Sequence, residues 1–408
     1  MAASVRPDFR LPIDESRYFF GRRDLLADVE RSPFRVRILL GGRRLGKTST
    51  LNAIQRNLLS LGKSDRQAFP ILFNLQQERP NSLEQFRYLL IARLQEAFAQ
   101  YQTGREANWQ KTYRRLLRQI PGGSIDVGLP KIGVKLNVTN PDCDRALIHD
   151  DFRQDLLKTI EQLQKKQFEG VCFLLDGSEF IVSQDWANDA WSYFRALKDT
   201  DTALKPFVGF VFSGYRDLKD YQQKVGSPLL NIAEVEWLGT LTEAETRSLV
   251  AYRSQEEKIA LTESEVDIII TWGGCHPYLT QQLLNEIFDD RHQNPNLSQN
   301  PTPSQSRDRL MFHLIRQHDR DFSAWWDEDK RSYGFGKTEQ AVYLALLDIG
   351  EGNVENLVRV TNLSFGEVAD SLEVLAGSGA IRHFEDERYR RGAKLFEEWV
   401  VRERPLAP

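Results

Sequence analysis

The first half of the chain alternates short apolar runs with stretches of helical periodicity. Runs of consecutive apolar residues, each bounded by turn residues, predict buried strands of a parallel sheet at residues 36–40, 70–73, 171–175 and 207–212. Between them, apolar residues recur every three to four positions, which predicts helices at residues 48–61, 83–99, 152–165 and 186–198. Strands that alternate with helices are typical of a doubly wound α/β sheet with right-handed crossovers. We therefore predict an α/β domain over residues 1–240.

One segment departs from this alternation of strands and helices. In residues 124–138, apolar and polar residues alternate in two runs separated by Pro130 and Lys131, which predicts a β-hairpin. We expect this hairpin to form an insertion at about residues 122–140, ahead of the third strand. Two interpretations stay open, an ornament at the edge of the sheet and an element that binds a partner, and we favour the first.

Only helical patterns follow residue 241, and residues 241–291 contain three of them. Residues 292–307 are mostly Asn, Gln, Ser and Pro, a composition that cannot bury a core and predicts a flexible linker. The last segment, residues 308–408, begins with a helix and continues with three helical patterns and a two-strand stretch. Three helices followed by a hairpin are typical of a winged helix, so we predict a helix plus a winged-helix domain here.

Length, composition and charge narrow the class of protein. A chain of 408 residues, of which 41% are hydrophobic and 27% charged, predicts two or three packed domains. The net charge of −4 argues against a protein that coats nucleic acid, although it leaves room for a local basic patch. The cysteines, Cys143, Cys172 and Cys275, are odd in number and widely spaced, which predicts neither a disulfide framework nor a zinc site. Without a long apolar run or a signal region, we expect a cytoplasmic protein with no membrane partner.

A complete phosphate-binding motif follows the first predicted strand. The pattern G-x-x-x-x-G-K-[ST] is formed by Gly41, Gly42, Arg43, Arg44, Leu45, Gly46, Lys47 and Thr48, and Ser49 comes next in the following helix. In such a loop, backbone N–H groups point at a phosphate chain, Lys47 reaches the β- and γ-phosphates, and the Thr48 hydroxyl ligates Mg²⁺. The dipole of the helix adds to the anion site. The motif predicts binding of ATP, ADP or GTP together with Mg²⁺.

Residues near the ends of two other predicted strands are candidates for hydrolysis chemistry beside Lys47. Asp176 ends a buried run, and we expect it to hold the Mg²⁺ shell through water. Glu179 is the nearest carboxylate able to orient or deprotonate the attacking water, and its alternative is a solvated acid at a helix start. Arg216 follows the fourth strand and is predicted to sense the γ-phosphate or stabilise transition-state charge, with an ordinary surface arginine as the alternative.

Three flanking motifs resemble those of STAND-type and archaeal-type AAA-related ATPases. Residues 18–26, YFFGRRDLL, resemble the F-x-G-R-x-x-E-L opening of these proteins, and residues 238–245, LGTLTEAE, resemble the start of their helical lid. Residues 273–279, GGCHPYL, resemble their G-G-H-P-Y-L segment. Together with the P-loop and Asp176, these motifs stand in the family's order, and the trailing winged helix extends the likeness over almost the whole chain.

The resemblance implies which residues contact the nucleotide base. Phe20, Gly21 and Arg22 are expected to contact the base from the opening motif, and Pro277 from the helical lid at residues 241–291. A nucleotide in this family lies between the α/β core, the lid and the winged helix.

Two positions depart from the family's pattern. Gly177 follows Asp176 where many relatives have Glu, and the order D-G-S-E is closer to the D-G-x-[DE] variant of NACHT-like members, which favours Glu179. Cys275 is an extra residue in the lid motif, ahead of His276, and we interpret His276 as a packed lid histidine.

The resemblance implies a molecular switch. In this family ADP holds a closed form, and exchange for ATP opens it or permits oligomerisation. The γ-phosphate adds charge that Lys47, Arg216 and Mg²⁺ satisfy in only one arrangement, so the nucleotide biases a two-state element. We expect a slow ATPase in bacterial signalling, stress response or defence against mobile elements. It would act with a separate protein partner or effector, or by self-association through the lid and winged helix.

The alternative is a DNA-associated ATPase of the origin-recognition or transposition-regulator kind, with the winged helix on DNA. The helix that would enter the groove, residues 364–376, carries Glu367, Asp370 and Glu373 and no Lys or Arg, so it repels phosphates. Basic residues are found instead in the wing and in residues 105–118, although acidic residues lie among those of the wing. Nucleic acid therefore stays open as a partner, but we favour a winged helix that contacts protein.

Overall fold

The computed structural model describes residues 7–60, 67–102, 149–224, 228–293, 304–327 and 334–403. The predicted hairpin insertion at residues 122–140 and the basic segment 105–118 lie outside the described residues. Within the described part of the chain, no helix is long and apolar enough to cross a membrane.

All strands of the main sheet run parallel. In the spatial order β2-β3-β4-β1-β5, the sheet consists of β1 (Val36–Leu40), β2 (Ala68–Asn74), β3 (Gly170–Asp176), β4 (Val208–Gly214) and β5 (Ala233–Trp237). The first four strands confirm the predicted α/β sheet, and every residue of β1, β3 and β4 is buried. Leu40 pairs with Gly214, and β3 lies on the other side of β4, so the carboxyl ends of β1, β4 and β3 meet at one edge.

In the main sheet, the apolar pattern misses the edge strand β5. Its sequence AEVEW alternates Glu with apolar residues, and Val235 is 40% exposed, so it lacks the continuous apolar run of a central strand. The buried Arg37 of β1 forms ion pairs with Glu234 (3.1 Å) and with Asp28 (2.6 Å). Charged residues are therefore part of the packing at this edge.

Helices connect the strands as the alternation predicts. They are α1 (Arg23–Arg31), α2 (Lys47–Ser60), α3 (Leu75–Glu78), α4 (Leu83–Gln102), α5 (His149–Gln164), α6 (Glu179–Val182), α7 (Ala187–Asp199) and α8 (Arg216–Lys224), with 3₁₀ turns at Ser16–Tyr18 and Pro228–Asn231. Aromatic side chains join helix to sheet. The Phe194 ring of α7 lies edge-on to Phe210 and Phe212 of β4, with centroids 4.9 and 5.3 Å apart.

The predicted lid segment contains α9 (Glu243–Glu257), α10 (Glu263–Gly273) and α11 (Pro277–Gln293). Capping boxes start the first two helices: Thr242 with Glu245, and Thr262 with Glu265. Gly274 and Cys275 have φ angles of 60° and 58°, so they form a left-handed turn after α10. The extra Cys275 is therefore accommodated in this turn, and Pro277 still begins α11.

The C-terminal unit, by which we mean the described residues between 304 and 403, has its own small sheet. Its elements are α12 (Ser304–Gln317), α13 (Asp319–Trp326), α14 (Lys337–Ile349), β6 (Glu351–Gly352), α15 (Val354–Thr361), α16 (Phe365–Gly377), β7 (Ile381–His383), β8 (Tyr389–Arg391) and α17 (Lys394–Glu403). The strands pair antiparallel in the order β6-β8-β7. Helices α14 to α16 and the β7-β8 hairpin follow the order predicted for a winged helix, and β6 and α17 add to it.

The lid and the C-terminal unit share one hydrophobic core. Tyr278, Leu279 and Leu283 of α11 belong to the same buried cluster as the aromatic residues Trp325 and Phe396. Since α11 ends at Gln293 and α12 begins at Ser304, both ends of the predicted linker at residues 292–307 are helical, and residues 294–303 lie outside the described residues.

Candidate nucleotide site

The P-loop joins β1 to α2 and curves around the Lys47 side chain. The Gly41 N–H donates to the Gly214 carbonyl (3.2 Å), which fixes the start of the loop on the end of β4. Gly46 has a φ of 90°, a conformation that favours glycine. The Lys47 Nζ donates to the carbonyls of Gly41 (2.7 Å) and Gly42 (3.1 Å). Lys47 therefore lies where the phosphate chain binds in loops of this sequence.

Asp176, at the end of β3, is fixed by hydroxyl groups from two neighbouring elements. The Thr48 Oγ1 donates to its Oδ2 (2.8 Å), and the Ser213 Oγ of β4 donates to its Oδ1 (2.6 Å). Asp176 is 8% exposed, and the strand order brings these groups to one edge of the sheet. A hydroxyl beside a carboxylate fits Mg²⁺, a hard cation that keeps water and phosphate oxygens as its other ligands. Among the described residues, no group of three His, Cys, Asp or Glu side chains forms a complete protein cage for a metal.

Glu179, the predicted base, lies close to Lys47 at the start of α6. Burial lowers the pKa of the Lys47 ammonium, and the carboxylates of Glu179 and Asp176 oppose that shift. The Glu179 Oε2 lies 3.5 Å from the place that a Cβ on Gly214 would take, so Glu179 is beside the end of β4. The structure thus brings Lys47, Asp176 and Glu179 together, while the action of Glu179 on a water molecule stays a prediction.

Arg216 contacts the C-terminal unit in this structure. Its Nη1 donates to the Glu339 Oε1 (2.9 Å) and its Nη2 to the Gly334 carbonyl (3.3 Å), and its Nε lies 3.7 Å from the Asp220 Oδ2. The side chain is 12% exposed. Arg216 therefore ties the end of β4 to the C-terminal unit, and its role at the γ-phosphate stays a prediction.

A pocket of about 240 Å³ lies beside the P-loop. Arg44, Leu45 and residues 46–50 form its P-loop part. Its apolar part is lined by Phe9, Pro12, Ile13, Tyr18, Phe20, Leu241, Leu249, Pro277 and Tyr278. Phosphates fit the first part, and a flat aromatic base fits the second. The structure therefore places Phe20 and Pro277, which the resemblance implies as base contacts, in one pocket with Lys47.

Gly21 and Arg22 hold the N-terminal segment against the beginning of the lid. Gly21 has a φ of 79°, a left-handed conformation that favours glycine, and a Cβ at this position would lie 2.8 Å from the Glu245 side chain of α9. The guanidinium of Arg22, which lines the pocket, donates to the carbonyls of Leu238 and Gly239 (2.6 Å to the latter). Burial lowers the pKa of Arg22 to about 10.

Residues 9–13 belong to the pocket although no sequence motif marks them. The Ile13 N–H donates to the Ser49 Oγ (2.8 Å), and the Asn52 amide donates to the Asp14 carboxylate (2.7 Å). Ser49 therefore anchors this segment to α2 as well as lining the pocket. Sequence reasoning also misses Gln281, which follows Pro277 by one helical turn and is only 2% exposed. The helical period, applied from Pro277, is the signal that could have found it.

The fold can be compared with that of known proteins. No protein-family model and no curated protein matches the sequence. A Walker-type ATPase of Pyrococcus abyssi is similar in structure, with a TM-score of 0.55 and 14% identity over 96% of this chain and 98% of that chain. The chain has the fold of the P-loop NTPases. The ORC2 protein of Aeropyrum pernix, solved in ADPNP-ADP complexes, aligns with a TM-score of 0.45 and 10% identity over 96% of this chain and 98% of that chain.

The P-loop also contacts the C-terminal unit directly. The Gly42 N–H donates to the Gly377 carbonyl at the end of α16 (3.1 Å), and a Cβ on Gly42 would lie 2.8 Å from the Ser378 Cα. The Arg44 Nε donates to the Asp321 Oδ1 (3.1 Å), and its guanidinium lies 4.3 Å from the centre of the Tyr278 ring. The half-buried Arg43 adds positive charge near Asp321. The motif does not predict these contacts, since they depend on the docking of a distant unit.

His276 is fully buried where the lid, the P-loop and the C-terminal unit meet. Its ring stacks on Trp325 with centroids 5.1 Å apart. Burial lowers the pKa of His276 to about 3, and the positive charges of Arg22 and Arg44 act in the same direction. The side chain is therefore neutral at physiological pH, and its place is that of a packed histidine.

Proposed function

We propose that this chain is an ATP-binding, slowly hydrolysing switch that works with Mg²⁺. The observation that carries the proposal is the contact between the P-loop and the C-terminal unit, through Gly42 to Gly377 and Arg44 to Asp321. A nucleotide that binds the P-loop must change the surroundings of these same groups. Binding and docking are then linked, because each changes the free energy of the other by the same amount.

The cations around the P-loop give ATP and ADP different effects on docking. Lys47 donates to carbonyls of its own loop, and phosphate oxygens are stronger acceptors for the same ammonium. Arg216, the predicted γ-phosphate sensor, binds Glu339 of the C-terminal unit. If the γ-phosphate attracts Arg216, docking loses this ion pair, whereas ADP leaves it in place. ATP therefore favours release of the C-terminal unit, and ADP favours docking.

The same residues support a slow hydrolysis reaction. Thr48 and Asp176 are the residues that would hold Mg²⁺, which supplies charge neutralisation at the phosphates when bound. Lys47 would contact the β- and γ-phosphates, and Glu179 would orient the attacking water. Slow turnover suits a switch, because each nucleotide state must last long enough to be detected by a partner.

We propose that the partner is a protein or a second copy of this chain. In the docked form, the C-terminal part of α16 already contacts the α/β domain. There Glu373 accepts from the Trp237 Nε1 (2.9 Å) and pairs with Lys219. The N-terminal half of α16 exposes Glu367 and Asp370 to solvent. An acidic helix suits a protein surface better than a phosphate backbone.

Two measurements on Lys47→Ala and the wild type test the proposal. Isothermal titration with ATP–Mg²⁺ should show that the variant loses most of its triphosphate affinity while its circular dichroism and melting stay unchanged. Hydrogen exchange of the peptide that covers α16 should be faster with a non-hydrolysable ATP analogue than with ADP in the wild type. Equal affinity in a folded variant argues against the nucleotide site, and equal exchange with both nucleotides argues against the switch.

A further inference from the structure

Gln281 is a buried polar residue in a part of the pocket that is otherwise mainly apolar. It lies on α11 one turn after Pro277, lines the pocket and is 2% exposed. Within the described residues, its Nε2 has no hydrogen-bond partner. Buried polar groups in folded proteins are normally paired, and Gln281 combines an unpaired donor with a place in the lining of the pocket, so a bound ligand is a candidate partner for it.

Arg253 fixes the orientation of the Gln281 amide. Arg253 is fully buried on α9, and its guanidinium donates to the Gln281 Oε1 and to the Asn285 Oδ1 (3.0 Å). An arginine can only donate, so the atom of Gln281 that it contacts must be the oxygen. The amide nitrogen is then left as the donor, and Gln281 cannot flip without placing its NH₂ group against a cation.

We propose that Gln281 reads the nucleobase, by donating an Nε2–H hydrogen bond to a ring nitrogen acceptor of adenine. This inference rests on the proposed nucleotide site, whose phosphate-binding part, at Lys47 and Thr48, lies in the same pocket. The aromatic and aliphatic residues that line the pocket together with Gln281 would hold a flat base by apolar contact, which does not distinguish one purine from another. A single fixed donor adds a directional contact. A base with an acceptor at that place gains a hydrogen bond, whereas a base without one leaves the buried donor unpaired and binds more weakly.

The test compares Gln281→Met, Gln281→Glu and the wild type in calorimetric titrations with ATP and with inorganic tripolyphosphate. Met keeps the length of the side chain and removes the amide. Glu keeps an acceptor for Arg253 and removes the donor, so it reports on the base contact even if Gln281→Met folds poorly. Both variants should bind ATP about five- to ten-fold more weakly, the usual worth of one hydrogen bond, and tripolyphosphate as tightly as the wild type.

Asn285→Met is the matched control. It removes the other amide acceptor of Arg253 but does not line the pocket, so its affinity for ATP should stay within about two-fold of the wild type. If this control weakens ATP binding as much as Gln281→Met does, the effect comes from the support of Arg253, and the inference is wrong.

Deaza analogues of ATP identify the acceptor. One of the 1-deaza, 3-deaza and 7-deaza forms should bind the wild type about five- to ten-fold more weakly than ATP, and this difference should vanish in Gln281→Met. Equal loss of ATP and tripolyphosphate, or no loss for ATP, overturns the role of Gln281. A wild type that binds neither ATP nor tripolyphosphate instead overturns the nucleotide site itself, so the two failures are distinguishable.

Discussion

At the residue scale, sequence motifs predict one of the two hydroxyl groups that bind Asp176 and miss the other. The end of a buried apolar run identifies this carboxylate, and the P-loop identifies its neighbour Thr48. The second hydroxyl, from Ser213, carries no motif, because its place beside Asp176 follows from β4 lying between β3 and β1. Gln281 is missed for a related reason. The helical pattern assigns polar residues to the solvent-exposed face, and only the packing of α11 shows that this one is buried.

The roles of Glu179 and Asp176 can be separated by substitution. Glu179→Gln should keep ATP affinity and slow hydrolysis about 100-fold or more, because it removes the group that is predicted to orient the water. Asp176→Asn should weaken Mg²⁺-dependent ATP binding as well, because it removes a charge beside Thr48. Single-turnover hydrolysis and titrations with and without Mg²⁺ measure both effects. If Glu179→Gln hydrolyses ATP at the wild-type rate, the base lies elsewhere.

His276 should make the folded protein less stable in mild acid. Its pKa is about 3 in the folded state and near 6.5 in the unfolded chain, so between these values the unfolded chain binds the extra proton. The free energy of unfolding should therefore fall as the pH drops below 6.5. His276→Phe has no proton to bind, so from pH 7 to pH 5 it should lose about 2 kcal/mol less stability than the wild type. Urea unfolding of both proteins at several pH values measures this difference, and parallel curves would contradict it.

At the scale of elements, the apolar pattern predicts the strands and helices that bury one continuous face. Strands β1 to β4 and helices α2, α4 and α7 are of this kind. The edge strand β5, which carries two Glu residues, and the two-residue strand β6 are stabilised by neighbours and not by a pattern of their own. The docking of α16 on the P-loop joins residues more than 300 positions apart, so no local signal could predict it.

The ion pair between Arg216 and Glu339 should affect the ratio of the affinities for ATP and ADP. Glu339→Gln weakens docking, so it should raise the ratio of ATP to ADP affinity about five-fold, the worth of one partly buried pair. Glu78→Gln is a matched control, because the Arg93–Glu78 pair has the same length, 2.9 Å, and lies within the α/β part. Titrations with both nucleotides measure the ratio. A ratio that stays constant in Glu339→Gln, or that changes equally in the control, contradicts the coupling.

At the scale of the whole molecule, the lid and the C-terminal unit are packed through the shared core around Tyr278 and Trp325. A movement of the C-terminal unit alone would expose these apolar residues, so we expect the lid to move with it. The pocket is lined by both the P-loop and the lid, and opening would therefore change the predicted base contacts as well as the predicted phosphate contacts. A nucleotide that holds both parts links the state of the pocket to the position of the whole C-terminal half.

The full chain should not bind duplex DNA tightly, whether the C-terminal unit is docked or released. Residues 333–408 contain nine Lys or Arg against thirteen Asp or Glu, whereas modules that read DNA grooves are usually strongly basic. Release through Glu339→Gln would free the Glu373 end of α16 from Trp237 and Lys219, and this exposes another acid to the phosphates. Fluorescence anisotropy with a random-sequence duplex at low salt, where electrostatic affinity is largest, should give dissociation constants above about 1 µM for both proteins. Sub-micromolar binding that weakens steeply with added salt would show that the released C-terminal unit acts on DNA, and the DNA-associated ATPase would then be the better account of this chain.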